Sequence, residues 1–453
     1  MPEPADFAEE RAVWPASAAF DARGEMNLGG VAVSTLAAAH GTPLYVIDEV
    51  EVRARATRIR EVFASAASRA DTTATIYYAG KALLTAGIAS WMHEAGLKID
   101  VASGGELAIA LAGGVPAERL GLHGNNKSLA EIDRAVSAGI GSIIIDSPAE
   151  IERVAEAALR HHKVQSVRLR VNSGVHAHTH EFLATAHEDQ KFGVSIDRAP
   201  GLVARIREHA SLHFLGVHCH IGSQIFGSDG FAESASRLLE LHRDLLQSGV
   251  VPELNLGGGF GIAYTAGEQP TPIEELASDI VQAVASGCER LGIPIPALAF
   301  EPGRWIVGNA GITLYEVGTV KAVAIEGGER SYVSVDGGMS DNARPALYGA
   351  EYTARLVART SEAPAVLSRV AGKHCESGDI LVQDAWLPGD VRAGDLLALA
   401  ATGAYCYSLS SNYNALPRPA MVAVANGTTR VLVRRETEAD LLVRDMGVAQ
   451  GKI

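Results

Sequence analysis

The residues able to do chemistry are gathered in a few short stretches of this chain. Ile76-Tyr77-Tyr78-Ala79-Gly80-Lys81-Ala82 is an apolar run that ends on one lysine. At the mouth of a buried strand an ammonium is costly, because desolvation disfavours its charged form. An amine that sheds its proton can capture a carbonyl carbon. The same lysine could instead open the next helix with its charge in water. Gly257-Gly258-Gly259 presents backbone N–H groups with no side chain in the way, which suits an anion nest or a tight turn. Gly222-Ser223 and Arg304 could add donors to the same anion. Glu301, beside Pro302-Gly303-Arg304, can form a rim ion pair with Arg304 or keep a proton on the ring nitrogen of a pyridine cofactor. His220 either closes a strand or stacks on a flat ring.

Downstream loops carry further polar clusters. Arg344 and Tyr348 stand four apart, a spacing suited to gripping a carboxylate. Cys375 and Glu376 place a thiol beside a carboxylate in His374-Cys375-Glu376-Ser377-Gly378-Asp379, and Tyr405 follows Thr402-Gly403-Ala404. Two nucleotide signatures fail. The triple glycine lacks the third glycine of G-x-G-x-x-G, and Gly124-Asn125-Asn126-Lys127-Ser128 lacks the glycine before the lysine of a phosphate loop. A rival account takes His218-Cys219-His220, with His176, His178 and His180, as metal ligands. It leaves Lys81, the triple glycine and Glu301 unexplained, and no metal is expected.

These residues need a scaffold that brings them to one place. Strands are expected at Ile76–Ala79, Lys98–Ala102, Leu120–His123, Ser142–Asp146, Ser166–Val171, Phe214–His220, Glu253–Leu256 and Ala297–Phe300. Helical stretches fall between them at Leu83–Ala95, Glu106–Ala112, Leu129–Ala138, Ala149–Leu159, Phe231–Gln247 and Ile273–Leu291. This alternation implies parallel βαβ units, and about eight of them imply an α/β fold closed as a (β/α)8 barrel of the TIM type. Such barrels carry their sites at the C-terminal ends of the strands. Here those ends are Lys81, Ser103-Gly104-Gly105-Glu106, His123-Gly124-Asn125-Asn126-Lys127, Asp146-Ser147, Asn172, His220 to Gln224, Gly257 to Gly261, and Glu301 to Arg304. Beyond about Gly308, short runs of β-formers separated by Gly-Asp, Asn-Gly and Pro-Gly turns predict a second, all-β domain, a barrel or sandwich. The expected division is 42–308 for the barrel, with 1–41 and 309–453 in the β domain.

Composition narrows the partners. A chain of 453 residues exceeds one ordinary core, which suits two domains. Its net charge of −14, without a basic block, argues against nucleic acid and anionic membranes. The four cysteines, Cys219, Cys288, Cys375 and Cys406, form no CxxC pair and read as reduced thiols. Met1-Pro2-Glu3-Pro4-Ala5-Asp6 lacks the basic start and apolar core of a signal peptide, and no apolar run approaches a membrane span. A cytoplasmic location is expected.

Taken together, the motifs YYAGKA, DVASGGEL, HGNNKS, EDQKFG, GVHCHIGSQI, NLGGGFGI, EPGR, VDGGMSDNARPALYGA and HCESGDIL, in this order, resemble the fold type III pyridoxal-phosphate decarboxylases of alanine-racemase-like fold. The resemblance spans nearly the whole chain and is strongest to the branch that converts meso-2,6-diaminopimelate to L-lysine and carbon dioxide. It implies a carboxy-lyase with pyridoxal 5'-phosphate held by Lys81 as a Schiff base, His220 on the ring and Glu301 at the ring nitrogen. It further implies Ser223, Gly258, Gly259, Gly303, Arg304 and Tyr405 around the phosphate, and Arg304, Arg344, Tyr348, Glu376 and Tyr405 at the substrate. Cys375 is the implied proton donor, reaching the site from the partner subunit of a homodimer. Ornithine and arginine decarboxylases of this fold need no distal carboxylate clamp and space the aspartate of the cysteine loop differently. Trp305 and Ala343 depart from the family's pattern and could reshape the substrate end toward a related amino acid.

Overall fold

The computed structural model describes residues 7–175, 191–326 and 328–448. Contacts divide the chain into two compact units, Arg55–Gly261 with Pro270–Trp305 in one, and Met1–Ala54, Ile262–Gln269 and Ile306–Ile453 in the other.

The first unit is a closed eight-stranded parallel barrel. Its strands are β1 (Ala74–Ala79), β2 (Lys98–Val101), β3 (Leu120–Leu122), β4 (Ser142–Ile145), β5 (Gln165–Asn172), β6 (Leu212–His218), β7 (Glu253–Asn255) and β8 (Ala297–Phe300). Pairing of β8 with β1 and of β4 with β5 completes the ring. All eight expected strands are present. Runs such as Ser142–Ile145 are buried throughout, because a barrel strand has side chains of its neighbours on one face and helices on the other.

The helices between them are α1 (Ala86–Glu94), α2 (Gly104–Ala112), α3 (Leu129–Ala138), α4 (Pro148–Arg160), α5 (Ala199–Glu208), α6 (Asp229–Leu246) and α7 (Ile273–Leu291). Local chemistry sets their starts: Thr85 and Ser103 cap α1 and α2, and Ser128 forms a capping box with Glu131. Helix α5 and the two-residue strand Val194–Ser195, which adds beside Val171 and Asn172, were not expected from the sequence. Pro200 occupies the first turn of α5, where its missing N–H costs nothing.

Aromatic packing fixes the end of the barrel that matters. Phe63 lies 4.2 Å from Phe300, and Phe231 stacks on Phe260 at 5.2 Å. Phe300 immediately precedes Glu301 and Phe260 follows the triple glycine, so this cluster anchors both loops. Further down the strands, the fully buried Arg168 of β5 ties four strands together. It pairs with Glu253 of β7, donates to Ser142 Oγ of β4 at 2.7 Å and donates to Tyr77 Oη of β1 at 2.8 Å.

In the second unit, one sheet runs in the order Ile380–Pro388, Ala365–Ala371, Gly328–Val335, Gly311–Ile325, Leu44–Asp48, Ala420–Ala425, Thr428–Val433. Leu396–Leu399 and Ala354–Leu356 extend it from Gly311–Ile325. Leu44–Asp48 therefore pairs with strands more than two hundred residues away, although the helix Glu49–Arg69 after it mimics a barrel βα unit. A small sheet of Ala19–Phe20, Met26–Leu28 and Val31–Ala32 packs Met26 and Leu28 into a core with Trp14, Leu44, Ile312 and Val422. No helix among the described residues is long and apolar enough to cross a membrane.

Removing one partner from a buried ion pair leaves an uncompensated charge. Arg168→Met is expected to lower unfolding stability by about 3 kcal/mol in urea titrations, with part recovered in the Arg168→Met, Glu253→Gln double variant; an unchanged midpoint for the single variant would show that the buried pair contributes nothing.

Candidate active site

Lys81 leaves the barrel at the C-terminal end of β1, on the single turn Gly80–Ala82. Ile76 to Gly80 are buried, but Lys81 itself is exposed. Of the two readings of this lysine, the structure has the exposed one: burial stops at Gly80, and the turn carries the next side chain into the open. Its charge bears on Glu106 and His220. Glu106, raised by burial, accepts the Ala102 N–H at 2.6 Å.

Glu301 follows β8 and is held on both carboxylate oxygens. Oε2 lies 3.0 Å from His218 Nε2 of β6, and Oε1 accepts from Asn255 Nδ2 of β7 at 2.8 Å. Asn255 Oδ1 in turn accepts the Gly257 N–H at 2.8 Å, and the Glu301 N–H donates to Gly257 O at 2.8 Å. Side chain and backbone are therefore fixed to the glycine loop. His123, after β3, places Nε2 3.4 Å from Glu301 Oε1 and 3.4 Å from Asp100 Oδ1 of β2. These are ion-pair distances without a well-directed hydrogen bond.

The protonation states follow from these neighbours. Burial would raise Glu301, but His218 and His123 outweigh it and hold the carboxyl well below its ordinary range. Burial pushes His218 down to about 4, so its ring is neutral and Nε2–H donates to Glu301. Burial also opposes a charge on His123, yet Glu301 and Asp100 raise it to about 9. Asp100 is raised to about 6, first by burial and then by Glu301. Glu301 is thus a buried anion between imidazoles rather than half of a rim ion pair.

His220 is also neutral, since burial and then Lys81 push it well below its ordinary value. Its Nδ1 accepts the Gly258 N–H at 3.3 Å, which leaves the ring proton on Nε2. The histidine pair of the metal reading is therefore divided, His218 on Glu301 and His220 on Gly258. His176, His178, His180 and Glu188-Asp189-Gln190 lie outside the described residues.

The glycines are required by close approach. A Cβ on Gly258 would sit 2.0 Å from Glu301 O, and one on Gly259, at φ +115°, 2.5 Å from Gly222 O. Gly303 packs against the end of β1, where a Cβ would lie 2.9 Å from Ala82 Cβ. Arg304 is buried and donates from Nη2 to Ser223 Oγ at 2.8 Å.

The second unit holds the remaining candidates. Arg344 is buried, donates to Tyr352 Oη at 2.6 Å, and lies 4.9 Å from the Tyr264 ring centroid and 5.9 Å from that of Tyr405. Tyr348, on the same short helix, is 64% exposed, so the two do not share one environment. Cys375 and Glu376 are exposed on their loop. That loop is tied down by the buried Asp379, whose carboxylate accepts the Met339 N–H at 2.6 Å and the His374 N–H at 2.8 Å. His374 bridges Ser340 Oγ and Asn414 Oδ1 and stacks on Tyr413. Asp100, Asn255, Tyr264 and Tyr352 had no role from the sequence; His123 was placed only among the strand ends, and Asp379 only by its spacing in the cysteine loop. Asp100, His123 and Asn255 had one usable signal, as polar residues in or just after otherwise apolar strands.

Comparison with known proteins adds the chemistry that geometry alone leaves open. The family model described as pyridoxal-dependent decarboxylase, pyridoxal binding domain, matches residues 51–308. The chain is 50% identical over 439 residues to diaminopimelate decarboxylase of Mycobacterium tuberculosis (strain ATCC 25618 / H37Rv), covering 95% of this chain and 97% of that one. It is 44% identical over 433 residues to diaminopimelate decarboxylase of Bacillus subtilis (strain 168), covering 94% and 97%. Its structure is similar to that of diaminopimelate decarboxylase from M. jannaschii in co-complex with L-lysine, with TM-score 0.88, 31% identity, and coverage of 95% of this chain and 98% of that one.

Gly258→Ala must displace either the glycine loop or the Glu301 backbone. Its affinity for pyridoxal phosphate is expected to fall at least about tenfold, roughly 1.4 kcal/mol, in a fluorescence titration; wild-type affinity would show that the loop has slack the geometry does not reveal.

Proposed function

The chain belongs to the pyridoxal-dependent decarboxylases, and on that premise we propose that it removes one carboxylate of meso-2,6-diaminopimelate to give L-lysine and carbon dioxide, the last step of lysine biosynthesis, with pyridoxal 5'-phosphate as cofactor. The observation that carries this reading is Glu301, a buried carboxylate kept ionised by its neighbours at the C-terminal mouth of the barrel.

The barrel mouth fits that cofactor. The glycine loop is a cradle that a Cβ would fill, and buried polar atoms at Asp100 Oδ2 and His218 Nδ1 have no hydrogen-bond partner. Bound pyridoxal phosphate supplies an electron sink for the pair released when the bond from Cα to the carboxylate breaks. Lys81 would hold it covalently through Nζ, and its exposure at the end of β1 supports that access. His220, neutral and oriented by Gly258, would lie against the ring. Glu301 would keep a proton on the ring nitrogen, which favours decarboxylation over the simple proton exchange of a racemase. Ser223, Gly258, Gly259, Gly303, Arg304 and Tyr405 would bind the phosphate.

At the substrate, Arg304, Arg344, Tyr348, Glu376 and Tyr405 would hold the distal end of diaminopimelate, which bears both a carboxylate and an ammonium. The enclosure of Arg344 by phenol rings supports a guanidinium that is fixed before substrate arrives. Cys375 Sγ would deliver the proton that replaces the lost carboxylate. The exposure of Cys375 and Glu376 supports a homodimer in which their loop completes the partner's site. The acidic net charge supports small-molecule work in the cytoplasm, without nucleic acid or membrane partners.

Purified protein supplied with pyridoxal phosphate and meso-diaminopimelate is expected to form lysine and carbon dioxide in equal amounts, and Lys81→Ala to reduce turnover to background. Faster consumption of ornithine or arginine would overturn the substrate assignment, and full activity of Lys81→Ala would overturn the role of that lysine.

A further inference from the structure

His123 has no part in the chemistry above, yet it stands between two carboxylates that come from different strands. Its Nε2 is 3.4 Å from Asp100 Oδ1 and 3.4 Å from Glu301 Oε1, with both acids buried or nearly so. Two buried carboxylates facing one another cannot both ionise without a cation between them. We infer that His123 is a positioning residue for the decarboxylation: as an imidazolium it carries the positive charge that lets Asp100 and Glu301 both remain carboxylates, and so preserves Glu301 as the partner of the ring nitrogen. The inference rests on the proposed role of Glu301.

The other groups around the cluster do not supply that charge. His218 from β6 faces the second oxygen of Glu301, but burial keeps it neutral, with a value near 4. His220 is neutral for the same first reason. Arg168 of β5 acts on Asp100 from a distance, but its N–H groups are engaged by Glu253, Ser142 and Tyr77. Arg170 of the same strand also feels Glu301, but it pairs with Asp146 at 3.8 Å. Lys81, after β1, acts on Glu106 and His220, and Glu106 itself adds a further carboxylate within the field of His123. His123, raised to about 9 by Glu301 and Asp100 against its burial, is the group left to bridge the two acids.

The sign of the effect follows. With His123 neutralised by substitution, Glu301 faces Asp100 uncompensated, its pKa rises, and the ring-nitrogen partner is lost from the acid side upward. In enzyme loaded with pyridoxal phosphate, His123→Gln is expected to shift the acid-side transition in the visible spectrum of the bound cofactor upward by about one pH unit or more. Within the shifted acid-side window, kcat should fall about tenfold with KM changed less than about twofold, while near neutral pH the loss should be smaller. The His123→Gln, Asp100→Asn double variant, which removes the second carboxylate, should return the transition toward that of the unaltered enzyme. A transition in His123→Gln at the unaltered pH, an equal loss of activity at every pH, or no recovery in the double variant would overturn the inference. Glu301→Gln separates the two levels: if it leaves the cofactor spectrum unchanged, the placement of Glu301 at the ring nitrogen fails.

Discussion

A carboxylate removed from water remains an anion only when its surroundings replace the lost solvation, and Glu301 shows how this barrel does so. Neutral His218 and Asn255 each donate to one of its oxygens, and His123 brings a positive charge within 3.4 Å. The donors come from β6 and β7, the cation follows β3, and the acid follows β8. No two of them are neighbours in sequence. Only closure of the barrel brings them together, so the electrostatics of the site depend on the register of the whole ring.

The same constraint explains the packing around Glu301. Its backbone is bonded to Gly257, and its carbonyl comes so close to Gly258 that no side chain fits there. Phe260 and Phe300 lock the two loops into one aromatic cluster with Phe63 and Phe231. Asn255 links the carboxylate to the glycine loop through both ends of its amide. A group that binds the loop and a group that meets Glu301 would thus be placed by one rigid framework, the kind of preorganisation that lets binding support chemistry. The second unit works by another device. There, loops rather than strand ends carry the exposed Cys375 and Glu376, and the buried Asp379 fixes them through backbone N–H groups.

The barrel was legible because each strand is a short apolar run closed by glycine or polar residues, and that signal is local. Leu44–Asp48 has the same signal and the same following helix, but its partners lie far away in sequence, where spacing carries no information. Lys81, His220, the glycine loop and Glu301 could be picked out as strand ends. The environment of Lys81 could not, since burial one residue earlier says nothing about the direction of the next side chain. Asp100 could be placed inside a strand and His123 at a strand end, but their meeting at 3.4 Å shows only once the ring closes. Arg344 and Tyr348 look like a pair from their spacing, whereas the actual neighbours of Arg344 are Tyr264 and Tyr352, one of them eighty positions away.

Glu301 is ionised because of the groups that surround it. Carbon-13 NMR of glutamate-labelled protein, with Glu301→Gln used to assign the signal, reads that state directly. The carboxyl is expected to remain ionised as the pH falls through 4.5, the ordinary value for a glutamate. A Glu301 signal that titrates at or above that value would contradict the account.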